Sequence, residues 1–366
     1  MSGSILGNNI KISTWGESHG AALGVVIDGF PAGMELCEED VQKLLDRRKP
    51  GTSAATTSRK EDDKVRILSG IFEGKTTGTP ISMLVENTSQ RSGDYSEIAS
   101  YYRPGHADYP FDMKYGFRDY RGGGRSSGRE TIGRVAAGAL CKKLLSQMGI
   151  DVCAYTRSIG DVEIDDSKFD KDAIFSTPTS MPDRDADIKA MELIAAKRAE
   201  CDSIGGVIEC KITGVPAGIG EPVFDKLDAL LSRAVMSVGA VKAIEIGDGT
   251  NVSKYTGSEN NDEFIMEEGS VAKATNHSGG ILGGMSDGSS IMLRAHVKPT
   301  PSIAASQNTV NKNGENIEIN IKGRHDPVVV PRAVVVVESM CAITLLDLMI
   351  SNMYAKAENV INFYKK

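Results

Sequence analysis

Five arginines surround three consecutive glycines in the segment FRDYRGGGRSSGRETIGR (117–134): Arg118, Arg121, Arg125, Arg129 and Arg134. Glycines let a backbone approach a ligand closely, and the segment leads into a predicted helix whose N-terminus carries partial positive charge. Ser127, followed three residues later by Glu130, predicts a capping box at that helix start. Together these features predict a cradle for phosphate or carboxylate groups. A solvated basic loop is the plainer alternative.

Histidine exchanges protons near neutral pH, so the five histidines are the candidate acid–base groups. His19, His106, His277 and His325 lie in or beside glycine- and charge-rich segments, whereas His296 alternates along IMLRAHVKP as a strand residue would. A hydrogen-bonded structural role is an equally good interpretation for any one of them. No His, Cys, Asp or Glu spacing is typical of a metal site, which favours acid–base or electrostatic chemistry without a metal.

Two short motifs resemble catalytic signatures but lie in the wrong context. GESHG (16–20) matches the G-x-S-x-G of serine hydrolases, yet the chain continues as a strand and a turn rather than a helix. GIFEGKTTG (70–78) has three residues between its first two glycines, where a phosphate-binding P-loop needs four. We therefore expect neither a nucleophilic Ser18 nor a nucleoside triphosphate site.

Further basic groups lie outside the arginine segment. LDRRKPG (45–51) has three of them at a predicted helix end, and KPTPSI (298–303) and GRHDPVVVPR (323–332) contribute others: Arg47, Arg48, Lys49, Lys298, Arg324 and Arg332. One small phosphate does not need so many cations. The set is better suited to two anionic molecules in one cleft.

The composition limits the class of protein. The chain has 366 residues, 40% of them apolar, and a net charge of -7, which argues against non-specific binding of nucleic acid. Six scattered cysteines without a CxxC pair indicate reduced thiols in a cytoplasmic protein. The N-terminus lacks a signal-peptide pattern. VVVPRAVVVV is interrupted by Pro331 and Arg332, so we expect it to be too short to span a membrane.

Two internal echoes indicate a duplicated architecture. GVVIDGFPAGM (24–34) resembles GVIECKITGVPAGI (206–219), and GIFEGKTTGTPISMLV (70–85) resembles GILGGMSDGSSIMLRA (280–295), in the same order along the chain. We predict an α/β fold, an α+β sandwich of two similar halves about a pseudo-twofold axis, in one domain covering 1–366. The halves are expected at roughly 1–150 and 200–330. Apolar spacing predicts further helices over 129–148, 185–200 and 333–357.

Three long segments together resemble the chorismate synthase family. They are GESHGAALGVVIDGFP, YRGGGRSSGRETIGRVAAGAL and RHDPVVVPRAVVVVESM, joined in the family order by DRRKPGTS, RPGHADYP and GGILGGMSDG. The resemblance implies a lyase of the shikimate pathway that converts 5-enolpyruvylshikimate 3-phosphate to chorismate by 1,4-elimination of phosphate. It also implies reduced FMN as cofactor, the chorismate-synthase-type fold and a homotetramer.

The resemblance further implies roles for individual residues. His106 would protonate or stabilise the reduced flavin, His19 would assist the departing phosphate, and Asp326 would relay a proton. The implied flavin contacts are Arg125, Ser126, Ser127, Gly239, Ala240, Gly284, Lys298, Pro299, Thr300, Pro301, Ser302 and Arg324. The candidates for the anionic groups of the substrate are Arg48, Arg103, Arg129 and Arg134.

The sequence departs from the family pattern at three positions. Ala54 replaces an arginine, Pro301 replaces a serine, and Gly239 replaces an asparagine, so any contact at Gly239 must come from the backbone. Arg59 could replace the arginine missing at position 54. The flavin could be reduced by NADPH bound to this protein or by an external flavin reductase. The lack of a G-x-G-x-x-G segment favours the external reductase. The rival interpretation from another class is a non-catalytic protein that binds a phosphorylated metabolite.

Overall fold

The computed structural model describes residues 3–51, 55, 62–87, 97–321 and 326–365. Ala54, Arg59, Arg324 and His325 lie outside the described residues.

Two five-stranded antiparallel sheets form the outer layers. The first sheet has the spatial order β1-β2-β3-β7-β4, with strands β1 (Ile5–Leu6), β2 (Lys11–Gly16), β3 (Ala22–Asp28), β4 (Val65–Ile67) and β7 (Ile81–Glu86). The second has the order β11-β16-β10-β8-β9, with strands β8 (Asp151–Ile159), β9 (Val162–Glu163), β10 (Gly206–Thr213), β11 (Val241–Ile246) and β16 (Ile291–Val297). Four small hairpins lie outside these sheets: β5–β6 (Ile71–Phe72, Lys75–Thr76), β12–β13 (Phe264–Glu267, Ser270–Lys273), β14–β15 (Ile281–Leu282, Met285–Ser286) and β17–β18 (Gln307–Val310, Asn316–Ile319).

The two sheets repeat one topology. The order β2-β3-β7-β4 of the first sheet corresponds to β8-β10-β16-β11 of the second. The echoing sequence segments lie on corresponding strands, β3 with β10 and β7 with β16, and a hairpin precedes the latter strand in each half. The correspondence also pairs β8, which precedes the echoing segments of the second half, with β2.

The helices of the described residues are α1 (Glu38–Arg48), α2 (Asp108–Tyr115), α3 (Thr131–Gln147), α4 (Arg184–Ala199), α5 (Leu227–Met236), α6 (Gly257–Asn260), α7 (Val330–Asn352) and α8 (Ala357–Tyr364). Of these, α3 and α7 form the centre of the layer between the sheets, with α1 and α5 packed on them. α3 packs on β3 of the first sheet, α7 packs on β8 and β10 of the second, and the two helices pack on each other. A Cβ on Gly138 would lie 2.3 Å from the Cβ of Ser339, so glycine permits this close helix contact. The predicted sandwich is confirmed.

The helix α7 differs from its sequence-based prediction at both ends. Pro331 does not interrupt it, because the proline lies in the first turn, where a missing N–H costs nothing. The helix ends at Asn352, and 353–356 form a turn before α8. With 23 residues and a mean hydropathy of 2.1 over its most apolar window, α7 is long enough to span a membrane, contrary to our expectation. That window is 89% buried inside the protein, as befits a central core helix.

A small second core lies beside the main one. Ile98, Tyr101, Ile319 and Ile321 form a separate buried cluster, which joins the segment before α2 to the hairpin β17–β18. The main-chain N–H of Tyr102 donates to the carbonyl of Val310 across this contact (3.2 Å). The cluster positions the segment that leads into RPGH.

Candidate active site

One cavity of about 1320 Å³ brings together most of the predicted site residues. Those that line it are His19, Arg48, Arg103, His106, Arg125, Ser126, Ser127, Arg129, Arg134, Gly239, Ala240, Lys298, Thr300, Pro301, Ser302 and Asp326. Pro299 and Gly284 are not in its described lining. Gly284 closes the hairpin β14–β15, where its carbonyl accepts from the N–H of Leu227 (2.8 Å).

His106 is held by both ring nitrogens. Nδ1 lies 2.9 Å from the carbonyl oxygen of Pro104, and Nε2 lies 2.8 Å from the hydroxyl of Ser302. A carbonyl only accepts, so Nδ1 carries the proton and Nε2 of the neutral ring accepts from Ser302. Burial, with the nearby charge of Arg103, lowers the pKa of His106 below its ordinary value. The free protein therefore holds His106 neutral, with a fixed tautomer.

His19 lies in the turn between β2 and β3. Its Nδ1 is 3.2 Å from the hydroxyl of Ser18, and the ring lies against Gly122 of the glycine run. A Cβ on Gly122 would lie 2.7 Å from two atoms of that ring, and the φ of Gly122 is +83°. Only glycine allows the run to pass so close to His19. The turn leads into the strand β3, as the sequence predicted for this segment.

The five arginines of the opening segment are not a free cluster of positive charge. Arg118 is buried and pairs with Asp112 (2.6 Å), and Arg121 pairs with Asp119 (2.8 Å) on the surface. Arg118 lines the cavity, whereas Arg121 is not in its described lining. The sequence gives the positions of the arginines along the chain, but not which carboxylates contact them in the folded protein.

The capping box predicted from Ser127 and Glu130 is not formed. The hydroxyl of Ser127 accepts from the N–H of Arg129 (3.3 Å) and caps a short 3-10 turn. The Glu130 carboxylate accepts instead from Nε of Arg134 (2.7 Å) and from the hydroxyl of Thr14 (2.7 Å). Buried polar partners from β2 and α3 outweigh the local cap.

Arg125 binds the main chain of β2. Its guanidinium donates to the carbonyls of Gly16 (3.0 Å) and Thr14 (3.0 Å) and to the Thr14 hydroxyl (2.8 Å). These contacts fix the arginine-rich segment to the strand that precedes His19.

Arg48 and Arg129 share one carboxylate. Asp63 pairs through one oxygen with Nη2 of Arg48 and through the other with Nη1 of Arg129 (3.1 Å). Arg48 is fully buried at the end of α1, and burial lowers the pKa of its guanidinium although the Asp63 charge opposes this. Arg129 also donates from Nε to the side chain of Asn87 (3.0 Å).

Arg103 and Arg134 each have a carboxylate partner as well. Arg103 donates to both oxygens of Asp108 (2.8 and 2.7 Å) and to the carbonyl of Gly122 (3.2 Å). Arg134, besides Glu130, donates to the hydroxyl of Ser237 (2.6 Å). Bidentate pairing of this kind fixes the plane of a guanidinium.

Asp326 is tied to the same region. Its carboxylate accepts from Nη1 of Arg332 (2.5 Å), and Nε of Arg332 donates to the carbonyl of Arg48 (3.1 Å). The start of α7 is thereby connected to the end of α1.

The lining is nearly balanced in charge. Among the described residues, nine arginine and lysine side chains and eight aspartate and glutamate side chains face the cavity. The arrangement provides oriented donors for anionic ligands rather than a large net positive charge.

The comparisons with known proteins agree with this geometry. The sequence profile of the family described as chorismate synthase matches residues 10–350. The chain belongs to the chorismate synthase family. Chorismate synthases of Lachnospira eligens and Agathobacter rectalis are each 64% identical over all of both chains, and that of Methanococcoides burtonii is 55% identical over 96% of each.

A solved chorismate synthase also shares the fold. It is 30% identical, with a TM-score of 0.76 over 98% of this chain and 96% of that one. The predictions of the family, the fold class, chorismate synthase function and lyase chemistry are confirmed. The comparisons do not favour the non-catalytic binding protein.

Motif reasoning missed the carboxylates that hold the arginines of this chorismate synthase site. Asp108 follows His106 by two residues in RPGHADYP, and this closeness to a candidate histidine was the one signal in the sequence for its role. Asp63 stands in the charged segment KEDDK, which resembles an ordinary solvated turn. Its partners are 15 and 66 residues away, so spacing carries no signal.

Proposed function

We propose that this chain eliminates phosphate from 5-enolpyruvylshikimate 3-phosphate in the 1320 Å³ cavity, with reduced FMN bound beside the substrate. One observation carries the proposal. The cavity joins two histidines, His19 and His106, to the arginines that the family resemblance connects with substrate anions. This volume exceeds the roughly 300–1,000 Å³ of a pocket for one small molecule, which suits two stacked molecules.

The residues of the cavity fit a flavin. The hydroxyl of Thr300 is buried there and has no hydrogen-bond partner among the described residues, which suits a ligand contact. Gly239 and Ala240 offer main-chain groups, and Ala240 adopts a left-handed φ of +72°. Positive φ at a residue other than glycine often marks a ligand contact. We propose that these residues, with Lys298 and Ser302, hold the flavin.

Reduced FMN would lend electron density to the substrate as its phosphate leaves and regain it as the hydrogen departs. The chain supplies the proton chemistry around it. His106 presents an unprotonated Nε2, which can accept a proton through its contact with Ser302. An anion placed beside His106 would favour the protonated ring. His106 can therefore stabilise negative charge on a neighbouring ligand once that ligand is bound.

The substrate brings two carboxylates and a phosphate of about -1.5 to -2 charge. We propose that Arg48, Arg103, Arg129 and Arg134 bind these groups. Each guanidinium is already oriented by a carboxylate, so little side-chain freedom is lost on binding. His19, beside the glycine run, would donate to the departing phosphate. Asp326, held by Arg332, would relay the proton.

Other features of the proposal rest on the sequence and the family resemblance rather than on the geometry of the cavity. We propose a cytoplasmic homotetramer whose flavin is reduced by an external reductase rather than by bound NADPH. Gly284 lies outside the described lining, and Arg324 lies outside the described residues, so their flavin contacts stay predictions.

Alanine variants of the two histidines test the proposal. His19→Ala and His106→Ala should each lower kcat by about 100-fold or more, the usual contribution of a positioned acid–base group. His296→Ala is the control, because that side chain lies beside Glu245 and not in the described lining of this cavity. Full turnover in both site variants would refute the assigned roles.

A further inference from the structure

Asp63 lies between the guanidinium groups of Arg48 and Arg129, two of the arginines proposed to bind the substrate. We propose that Asp63 is a positioning residue, which holds Arg48 and Arg129 side by side so that both contact anionic groups of the substrate. This inference rests on the proposed function.

The two guanidinium groups are close because they occupy the two oxygens of one carboxylate. The Asp63 side chain is 1% exposed, that of Arg48 2% and that of Arg129 13%. Like charges at such short range and low exposure repel each other strongly. Without the carboxylate, Arg129, the more exposed of the pair, would turn toward solvent.

The pairing leaves hydrogen-bond donors for a ligand. Arg48 uses Nη2 for Asp63 and Nη1 for the carbonyl of Gly128 (3.3 Å). Its Nε is buried and has no hydrogen-bond partner within the described part of the chain. Because the side chain lines the cavity, this N–H suits an anionic ligand oxygen.

The backbone also fixes the carboxylate. Asp63 has a φ of +43°, in the left-handed region that aspartate and asparagine tolerate better than most residues. Its carbonyl accepts from the Gln42 side chain (3.3 Å), which anchors it to α1 just before β4. Asparagine keeps the shape and this backbone preference, so Asp63→Asn removes the charge and leaves one acceptor oxygen for the two guanidinium groups.

The test compares Asp63→Asn with Asp62→Asn, which removes the same charge from an exposed neighbour at the same cavity. Steady-state rates are measured with chemically reduced FMN. Asp63→Asn should raise KM for the substrate about 10-fold or more with kcat within about 3-fold, as expected for lost uniform binding. Asp62→Asn should change KM less than about 3-fold. The affinity for oxidised FMN, followed by fluorescence, should not change in either variant.

Several results would overturn the inference. The first is an unchanged KM in a folded Asp63→Asn variant, and the second is an equal rise of KM in both variants. The third is a loss of FMN affinity in Asp63→Asn as large as its rise in KM for the substrate. If Asp63→Asn has no cooperative thermal transition, Asp63→Glu decides, because it keeps the charge and displaces the oxygens. A KM for Asp63→Glu equal to that of the wild type would then refute the positioning role.

Failure of the proposed function is distinguishable from failure of this inference. Wild-type protein that forms no chorismate would refute the function. Calorimetric titration of 5-enolpyruvylshikimate 3-phosphate into the FMN-loaded protein would still test Asp63, since weaker binding by Asp63→Asn than by Asp62→Asn supports the role. Equal affinities would contradict it.

Discussion

The hydroxyl of Ser302 lies 2.8 Å from Nε2 of His106, while Nδ1 of the same ring donates to Pro104. Burial and the charges of Arg103 and Lys298 lower the pKa of this histidine, and Asp108 acts against them. We predict that His106 titrates below its ordinary value of 6.5 in the free protein, with the proton of the neutral ring on Nδ1. Nitrogen-15 NMR of the imidazole against pH measures both.

Lys298→Met should raise the pKa of His106, because it removes a cation that disfavours the protonated ring. Lys242→Met is the matched control, since Lys242 also lines the cavity but is not among the groups with the largest effect on the pKa of His106. A wild-type His106 that titrates above 6.5, or an equal response to both variants, would contradict this account of the site.

Gly122→Ala should lower turnover by displacing His19. The added Cβ would lie 2.7 Å from the imidazole ring and 2.9 Å from the Ser18 hydroxyl, and misplacement of a reacting group by about 1 Å can cost about 100-fold. Gly116→Ala is the control, because Gly116 has a similar φ of +79° but nothing within 4 Å of its added Cβ. Both variants should lose similar stability through the strained φ, measured by thermal unfolding. Equal kcat values would show that the contact with His19 has no role.

Glu338→Gln should destabilise the fold, since the carboxylate is fully buried between Arg47 (2.7 Å) and Lys142 (2.6 Å). Removing one partner of a buried ion pair costs about 3–5 kcal/mol in the free energy of unfolding. Burial alone would raise the pKa of Glu338, but the two cations lower it below its ordinary 4.5. The stabilisation is therefore complete above pH 4.5 and lost as the pH falls through the lower folded pKa.

Urea unfolding of wild type and Glu338→Gln at pH 7 and at acid pH measures this effect. The difference between them should be largest near neutrality and shrink below the ordinary glutamate pKa. A difference that grows toward acid pH would give the carboxylate the opposite role.

The apolar spacing and the internal sequence echoes predicted the helices and the two similar sheets of the sandwich. The paired echoes at 24–34 and 206–219 mark corresponding strands, because each sheet repeats the same turn and hairpin chemistry. The echoes do not include β8, which occupies the place in the second sheet that β2 occupies in the first. The start of α7 was predicted after Pro331, but the helix includes this proline. A proline in the first turn of a helix does not interrupt it, because the N–H that it lacks would have no partner there.

Long motifs predicted most of the cavity lining, because motifs keep together residues that are adjacent in the chain. The charge pairing of those residues could not be read in this way. Arg47 meets Glu338 across 291 positions, and Arg125 meets Thr14 across 111. Such pairs arise only once the two sheets enclose their helices.

Anaerobic assay with chemically reduced FMN tests the central claim most directly. Purified protein, 5-enolpyruvylshikimate 3-phosphate and reduced FMN are mixed, and phosphate and chorismate are followed together, with parallel samples containing oxidised FMN alone or oxidised FMN with NADPH. We predict equal amounts of the two products with reduced FMN and none with either oxidised sample. Product formation without reduced flavin, or phosphate release without chorismate, would contradict the account.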